Sequence, residues 1–286
     1  MSMSLVKFNF PEQGSGRLIF AIPQSNEYHT ISHVKLNPSA ELITENTWKN
    51  RVAIYTLNDV KDSPFLSFRA QFKPIAKHIG PLWHVKDYSE LDSKTLTQYT
   101  KADRFVVSGN RELIKITNKV WEGEESLEKN IQSLYAYTLD YLSYGNPISG
   151  LYSAQEAYEQ KVTDCGGFST FFISLLHIMQ IPSRLVVGFL LKPPSYKKVL
   201  ANLNVFPYDL SDFTMHVWTE VILPDGSLFP IDPAVEWRRV HGLSHRKGGF
   251  GIVAADRLVT SYGEDMVLAH DSQETVIDIL QHPTRI

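Results

Sequence analysis

Apolar and polar positions divide the chain into two stretches with different periods. In the first hundred residues the pattern is that of strands. Val6-Lys7-Phe8-Asn9-Phe10 and Phe65 to Phe72 (FLSFRAQF) largely alternate apolar with polar, as a strand with one buried face does. Leu18 to Ile22 and Arg51 to Leu57 (RVAIYTL) are rich in β-forming residues, with Pro, Gly and Asn punctuating the stretches between. Near Asn110 the period becomes helical. Leu113, Ile116, Val120 and Trp121 predict one helix, and Leu127, Ile131, Leu134, Tyr135, Thr138 and Leu142 predict a second, closed by Gly145-Asn146-Pro147. The apolar-rich run Phe168 to Met179 predicts a third, capped by Thr163 or Asp164 and ended before Ile181-Pro182. Arg184 to Leu191 then predicts a buried strand. Lys192 to Thr214, with Pro193, Pro194 and Pro207, predicts a long loop of the kind that is often functional.

The stretch Met215 to Pro233 (MHVWTEVILPDGSLFPIDP) predicts a hairpin. Pro224-Asp225-Gly226 suits a three-residue loop with Gly in the left-handed position. That loop pairs Leu223 with Ser227, Trp218 with Asp232 and His216 with Ala234. His216, Trp218 and Asp232 then share a face, with His216 and Asp232 a diagonal ~7–8 Å apart at the backbone. A two-residue loop would turn Asp232 to the other face.

The chain has 286 residues, 43% of them hydrophobic and 21% charged, which is a globular composition. Two domains are expected: an N-terminal antiparallel β domain over 1–108 and a catalytic domain over 109–286, with Phe250 to Met266 supplying the latter's closing strands. The net charge of −3 is spread along the chain, so nucleic acid and anionic membrane are not expected partners. No apolar run approaches the ~18 residues of a membrane span, and Met1 to Phe10 lacks a basic region followed by an apolar core, so a soluble, cytoplasmic protein is expected.

Cys165 is the single cysteine. It can form neither an internal disulfide nor a multi-cysteine zinc site. It stands at a predicted helix start, where unpaired N–H groups favour a thiolate, so a pKa below the free value of ~8.5 is expected. A thiol nucleophile needs a base, and His216 with Asp232 to fix its tautomer supplies one.

Asp164-Cys165-Gly166-Gly167, Ile181-Pro182-Ser183-Arg184 with Val187-Gly188, His216-Val217-Trp218-Thr219-Glu220 and Ile231-Asp232-Pro233 together resemble the core of the transglutaminase-like superfamily, over roughly residues 110 to 235. Gln180 stands where Gly is usual before Ile-Pro, and Ala234 where Thr is usual after Asp-Pro. The resemblance implies an α+β fold with a papain-like core, a cysteine-bearing helix packed on an antiparallel sheet. It also implies Cys165 as nucleophile, His216 as general base and acid, and Asp232 as the orienting carboxylate. Gln160 and the Cys165 backbone N–H are oxyanion-hole candidates.

Other residues have plainer readings. Trp218 walls the imidazole. Glu220 reads as a sheet-surface charge. His241 and His245 lie four apart, but Gly242 and Gly248-Gly249-Phe250-Gly251 argue for loop and no third ligand stands out, so no metal or cofactor is expected. Arg238-Arg239 and His245-Arg246-Lys247 are small basic clusters. The expected activity is thiol-dependent hydrolysis of an amide in a peptide or protein through a thioester. Transfer to an amine, as in a protein-glutamine transglutaminase, and a non-catalytic binding module are the alternatives.

Overall fold

The computed structural model describes residues 4–10, 15–57, 64–80, 83–121, 126–193, 208–270 and 273–285. In chain order the strands are β1 (Ser4–Asn9), β2 (Gly16–Ala21), β3 (His29–Asn37), β4 (Glu41–Thr44), β5 (Arg51–Leu57), β6 (Phe65–Phe72), β7 (Ile75–Ala76), β8 (Ser143–Tyr144), β9 (Val162–Thr163), β10 (Ser183–Leu191), β11 (Phe213–Ile222), β12 (Leu228–Ile231), β13 (Ile252–Val253), β14 (Arg257–Tyr262), β15 (Met266–His270), β16 (Gln273–Ile277) and β17 (Thr284–Arg285). The helices are α1 (Ser93–Tyr99), α2 (Arg111–Val120), α3 (Leu127–Tyr141), α4 (Ala154–Gln160), α5 (Cys165–Ile178) and α6 (Pro233–Val240). None is long and apolar enough to cross a membrane.

The chain forms two compact units and is α+β, with the described α-helices in one unit and mainly antiparallel strands in both. The β unit comprises Met1–Ile75, Val187–His216 and Ala254–Ile286. Its sheets have the orders β1-β6-β3 and β17-β2-β5-β4, with β15 and β16 as a separate hairpin. Alternation in β1 and β6 sends Val6, Phe8, Leu66, Phe68, Ala70 and Phe72 into one core, where they meet Leu18, Phe20, Ala53, Tyr55 and Leu57 of β2 and β5. Ile19, Ala21, Val52 and Ile54 face the other way, onto Met266, Leu268, Ile277 and Leu280. Both faces of β2 and β5 are covered, which is why those strands read as near-continuous apolar runs.

The helical unit comprises Ala76–Val186 and Val217–Val253. Its core gathers Leu113 of α2, Leu127, Ile131 and Leu134 of α3, Phe168, Phe171, Phe172, Leu175 and Leu176 of α5, and Val221, Phe229 and Ile231 of the hairpin. Removing one such buried Phe would cost about 3–5 kcal/mol, a large part of a domain's stability.

A single boundary at 108 does not describe these units, because the chain returns twice to the N-terminal strands. The expected closing strands in 250–266 divide likewise. β13 lies in the helical unit, whereas Leu258 of β14 is buried with Phe189 in the β-unit core and Met266 of β15 packs on Ile54. Most of the expected loop at 192–214, residues 194–207, lies outside the described residues. Its far end is not loop, since Leu210–Asp212 forms a 3-10 turn and β11 begins at Phe213.

Candidate active site

Cys165 is the first residue of α5. Asp164 caps the helix, its Oδ1 accepting from the N–H groups of Gly166 (2.9 Å) and Gly167 (3.3 Å). From Gly166 to His177 the helix is buried on every side, so hydrophobic packing fixes its axis. A side chain at Gly167 would collide with Thr163, and the absence of one lets β9 lie close against the helix start. Ser169 Oγ donates to the Cys165 carbonyl (2.9 Å) and lies 3.4 Å from that of Val217, tying the first turn to β11.

The hairpin has the register that its turn chemistry predicts. Thr219 pairs with Ile231, Glu220 with Pro230, Val221 with Phe229 and Ile222 with Leu228. The Leu223 N–H donates to the Ser227 carbonyl (2.8 Å), Asp225 Oδ1 accepts from the Ser227 N–H (2.9 Å), and Gly226 is left-handed at φ +79°. Pairing stops at Ile231, however. Pro233 has no N–H for a ladder, and its fixed φ suits the first position of α6. The expected pairing of His216 with Ala234 therefore does not form: Ala234 is helical, and Asp232 is a helix cap whose Oδ1 accepts from the Val235 N–H (3.0 Å).

His216 is buried on β11, directly before Val217, and its carbonyl accepts from Gln281 Nε2 at 3.0 Å. Trp218 and Asp232 are fully buried. Glu220 is no surface charge. It is buried and held by Arg184, with Nη2 at 2.6 Å and Nε at 2.8 Å from Oε2, a charge-assisted pair in place of water. Gln160 is exposed, at the C-terminal end of α4.

The electrostatics of Cys165 are the reverse of the expectation from its helix-start position. Burial raises the thiol pKa first and the charge of Asp164 second, with Asp232 adding to them, so that it is pushed up to about 12. The backbone N–H groups of Val217 and Gly166 oppose this without overcoming it. The cap supplies the second cause: the Asp164 carboxylate draws on the Gly166 and Gly167 N–H groups and sets its charge close to the sulfur.

One residue beside the thiol has no counterpart among the sequence candidates. Tyr144 of β8 pairs with Thr163 of β9 in parallel, two residues before Cys165. Its ring lies 6.3 Å from that of Phe168, and the Arg238 guanidinium sits 4.9 Å from its centroid. Burial and then the charge of Cys165 push its hydroxyl up to about 12, against the pull of Arg238. Tyr144 is thus a neutral O–H donor at neutral pH. A lone Tyr after a helix carries no motif by which sequence would single it out.

Residues 114–233 match the family model of the transglutaminase-like superfamily. The chain carries a transglutaminase-like core. A candidate cysteine protease from Cytophaga hutchinsonii aligns with it at 15% identity and a TM-score of 0.54, over 91% of this chain and 80% of that one. At that identity the likeness is one of fold. The periplasmic domain of TgpA from Pseudomonas aeruginosa aligns at 12% identity and a TM-score of 0.42, over 82% of this chain and 75% of that one. No curated protein matches the chain. The matched segment of the transglutaminase-like core contains α5, which begins with Cys165, the β11–β12 hairpin, which carries His216, and Asp232 directly after that hairpin.

Proposed function

We propose that the transglutaminase-like core is a thiol enzyme acting on amide bonds of a peptide or protein, with hydrolysis as its outcome. The reading is carried by the setting of the lone cysteine. Cys165 starts a buried helix, the Val217 N–H that faces its sulfur belongs to the strand bearing His216, and the Asp232 charge is within electrostatic reach of it. With its pKa raised, Cys165 rests as a thiol, so its proton leaves as attack proceeds. The sulfur adds to the amide carbonyl while His216 takes the thiol proton. His216 then gives that proton to the departing amine, and a thioester remains on Cys165. Water attacks the thioester, giving one proton to His216, which returns it to the sulfur as the acid leaves. Asp232 stabilises the imidazolium through the carboxylate oxygen that does not cap α6. The Tyr144 hydroxyl donates to the developing oxyanion, a role that exposed Gln160 is poorly placed to fill.

Incubation with a peptide mixture, with and without a labelled primary amine, tests this. Hydrolysis predicts new carboxyl groups without incorporated label. Label in the products would make the protein a transferase, and intact peptides in both arms would leave a binding module.

A further inference from the structure

The helical unit contains an open cavity of about 380 Å³ whose lining includes Tyr135, Glu236, Arg239, Lys247, Phe250 and Ile252 but not Cys165. Its walls differ in kind. Phe250 and the half-exposed Ile252 are apolar, whereas Arg239 and Lys247 bring two cations from separate segments, α6 and the loop that follows it. These are members of the two basic clusters that stand apart in the sequence. Glu236 balances only one of them, and it does so by fixing Arg239 in a fork, with Nη2 at 2.6 Å and Nε at 3.0 Å from its two oxygens. Among the lining residues the cations exceed the carboxylates by one, while the charge of Asp232, outside the lining, also reaches Tyr135.

Behind the lining, Glu236 and Tyr135 close on a buried glycine next in the chain to Gly248. Gly249 has φ +133°, and a Cβ there would press on Glu236 Oε2 and the Tyr135 hydroxyl. That hydroxyl is buried and, among the described residues, has no acceptor. A buried donor without an acceptor is unfavourable in the fold alone, and an anion entering beside it would supply one. The volume falls within the range of small-molecule sites.

We infer that this cavity binds a carboxylate with an apolar body, its charge taken by Lys247 and Arg239 and its body laid on Phe250 and Ile252. A peptide's C-terminal residue and a free carboxylic acid share that chemistry. The inference does not depend on the reaction at Cys165.

The test is calorimetric titration of the full-length protein with N-acetyl-L-leucine, its uncharged amide, and 4-methylpentanoate. The acid should bind saturably and the amide at least about tenfold more weakly. Lys247→Ala should weaken acid binding by about fivefold or more and leave the amide unaffected. Tyr135→Phe should weaken it without lowering the melting temperature, because the hydroxyl has no partner to lose. Stronger binding of N-acetyl-L-leucine than of 4-methylpentanoate would identify a peptide end, and equal binding a simple acid. Equal affinity for acid and amide, or a folded Lys247→Ala protein that binds the acid as wild type does, would overturn the inference.

Discussion

The strands around His29 and the helix starts around Cys165 bury polar groups for different ends. In the β unit, buried His29 serves a structural bond: its Nε2 accepts from the Val259 N–H at 2.9 Å, joining β14 to the start of β3. In the helical unit, the buried carboxylates Asp164 and Asp232 both stand at helix N-termini and both act on Cys165. A cap alone requires an oxygen acceptor, and Ser or Asn provides one without charge. Placing two buried negative charges near a thiol is unfavourable for its ionisation, so both carboxylates bear on the sulfur as well as on the helix starts they cap. His177 shows that the helical unit also has polar burial of the structural kind, with its Nε2 3.1 Å from the Ser183 carbonyl.

That contrast is broken most severely at His216. His216→Ala should reduce turnover to near background, because both the base and the proton donor to the leaving amine are lost. Asp232→Asn should cost ~10–10³ in turnover while keeping the fold, since an amide oxygen can still accept from Val235. Melting curves beside the rates separate the two roles of Asp232. A folded Asp232→Asn protein with full activity would leave it a cap only. Tyr144→Phe should follow, with about 10²-fold lower turnover at similar KM. An unchanged rate would reduce Tyr144 to a packing residue.

The carboxylates are sharpened as a set by the reactivity of the thiol against pH. With the Cys165 pKa pushed up to about 12, iodoacetamide labelling should have its midpoint well above the free value of ~8.5. Asp164→Asn should lower that midpoint, because the cap survives and the adjacent charge does not. An unmoved midpoint would contradict the assignment of Asp164 as a cause. Linkage adds a stability effect: the unfolded chain releases the thiol proton above ~8.5 and the folded one does not, so this group's contribution declines as pH rises from there towards about 12.

Smaller effects come from the two structural histidines. Burial lowers His29 to about 3 and His177 to about 4, so both are neutral when folded. Below about 6.5 the unfolded chain gains protons that the folded one does not, and stability should fall with pH by up to about 1.4 kcal/mol per unit for each. Urea midpoints measured from pH 7 to 4.5 check this, and a flat profile would contradict it.

How much of this was legible depended on whether the signal was local. Pro224-Asp225-Gly226 fixed the hairpin register through turn geometry, and Asp164 could be recognised as a cap from its position before the apolar run. The alternation in FLSFRAQF is the burial pattern of β6. What was not legible came from distant partners or from a change of element. The pairing of Thr284 with Ile19, which returns the C-terminus to β2, leaves no trace in either segment. The ladder ended at Ile231 because Pro233 favours a helix start, which extrapolating the register past it missed. Arg184 and Glu220 are unremarkable charges until a fold buries them together. Gln180 is left-handed at φ 57°, which gives a backbone reason for the Gly usual at that place in the resembling family.

The central claim is that the one thiol forms the covalent intermediate. The most direct test compares product formation from the peptide mixture by wild-type protein and by a Cys165→Ala variant with an unchanged circular dichroism spectrum, with acid quench and mass mapping of residue 165. An acyl adduct on Cys165 is expected in the wild type, and no turnover by the variant. A folded Cys165→Ala protein that releases products within tenfold of the wild-type rate would contradict it.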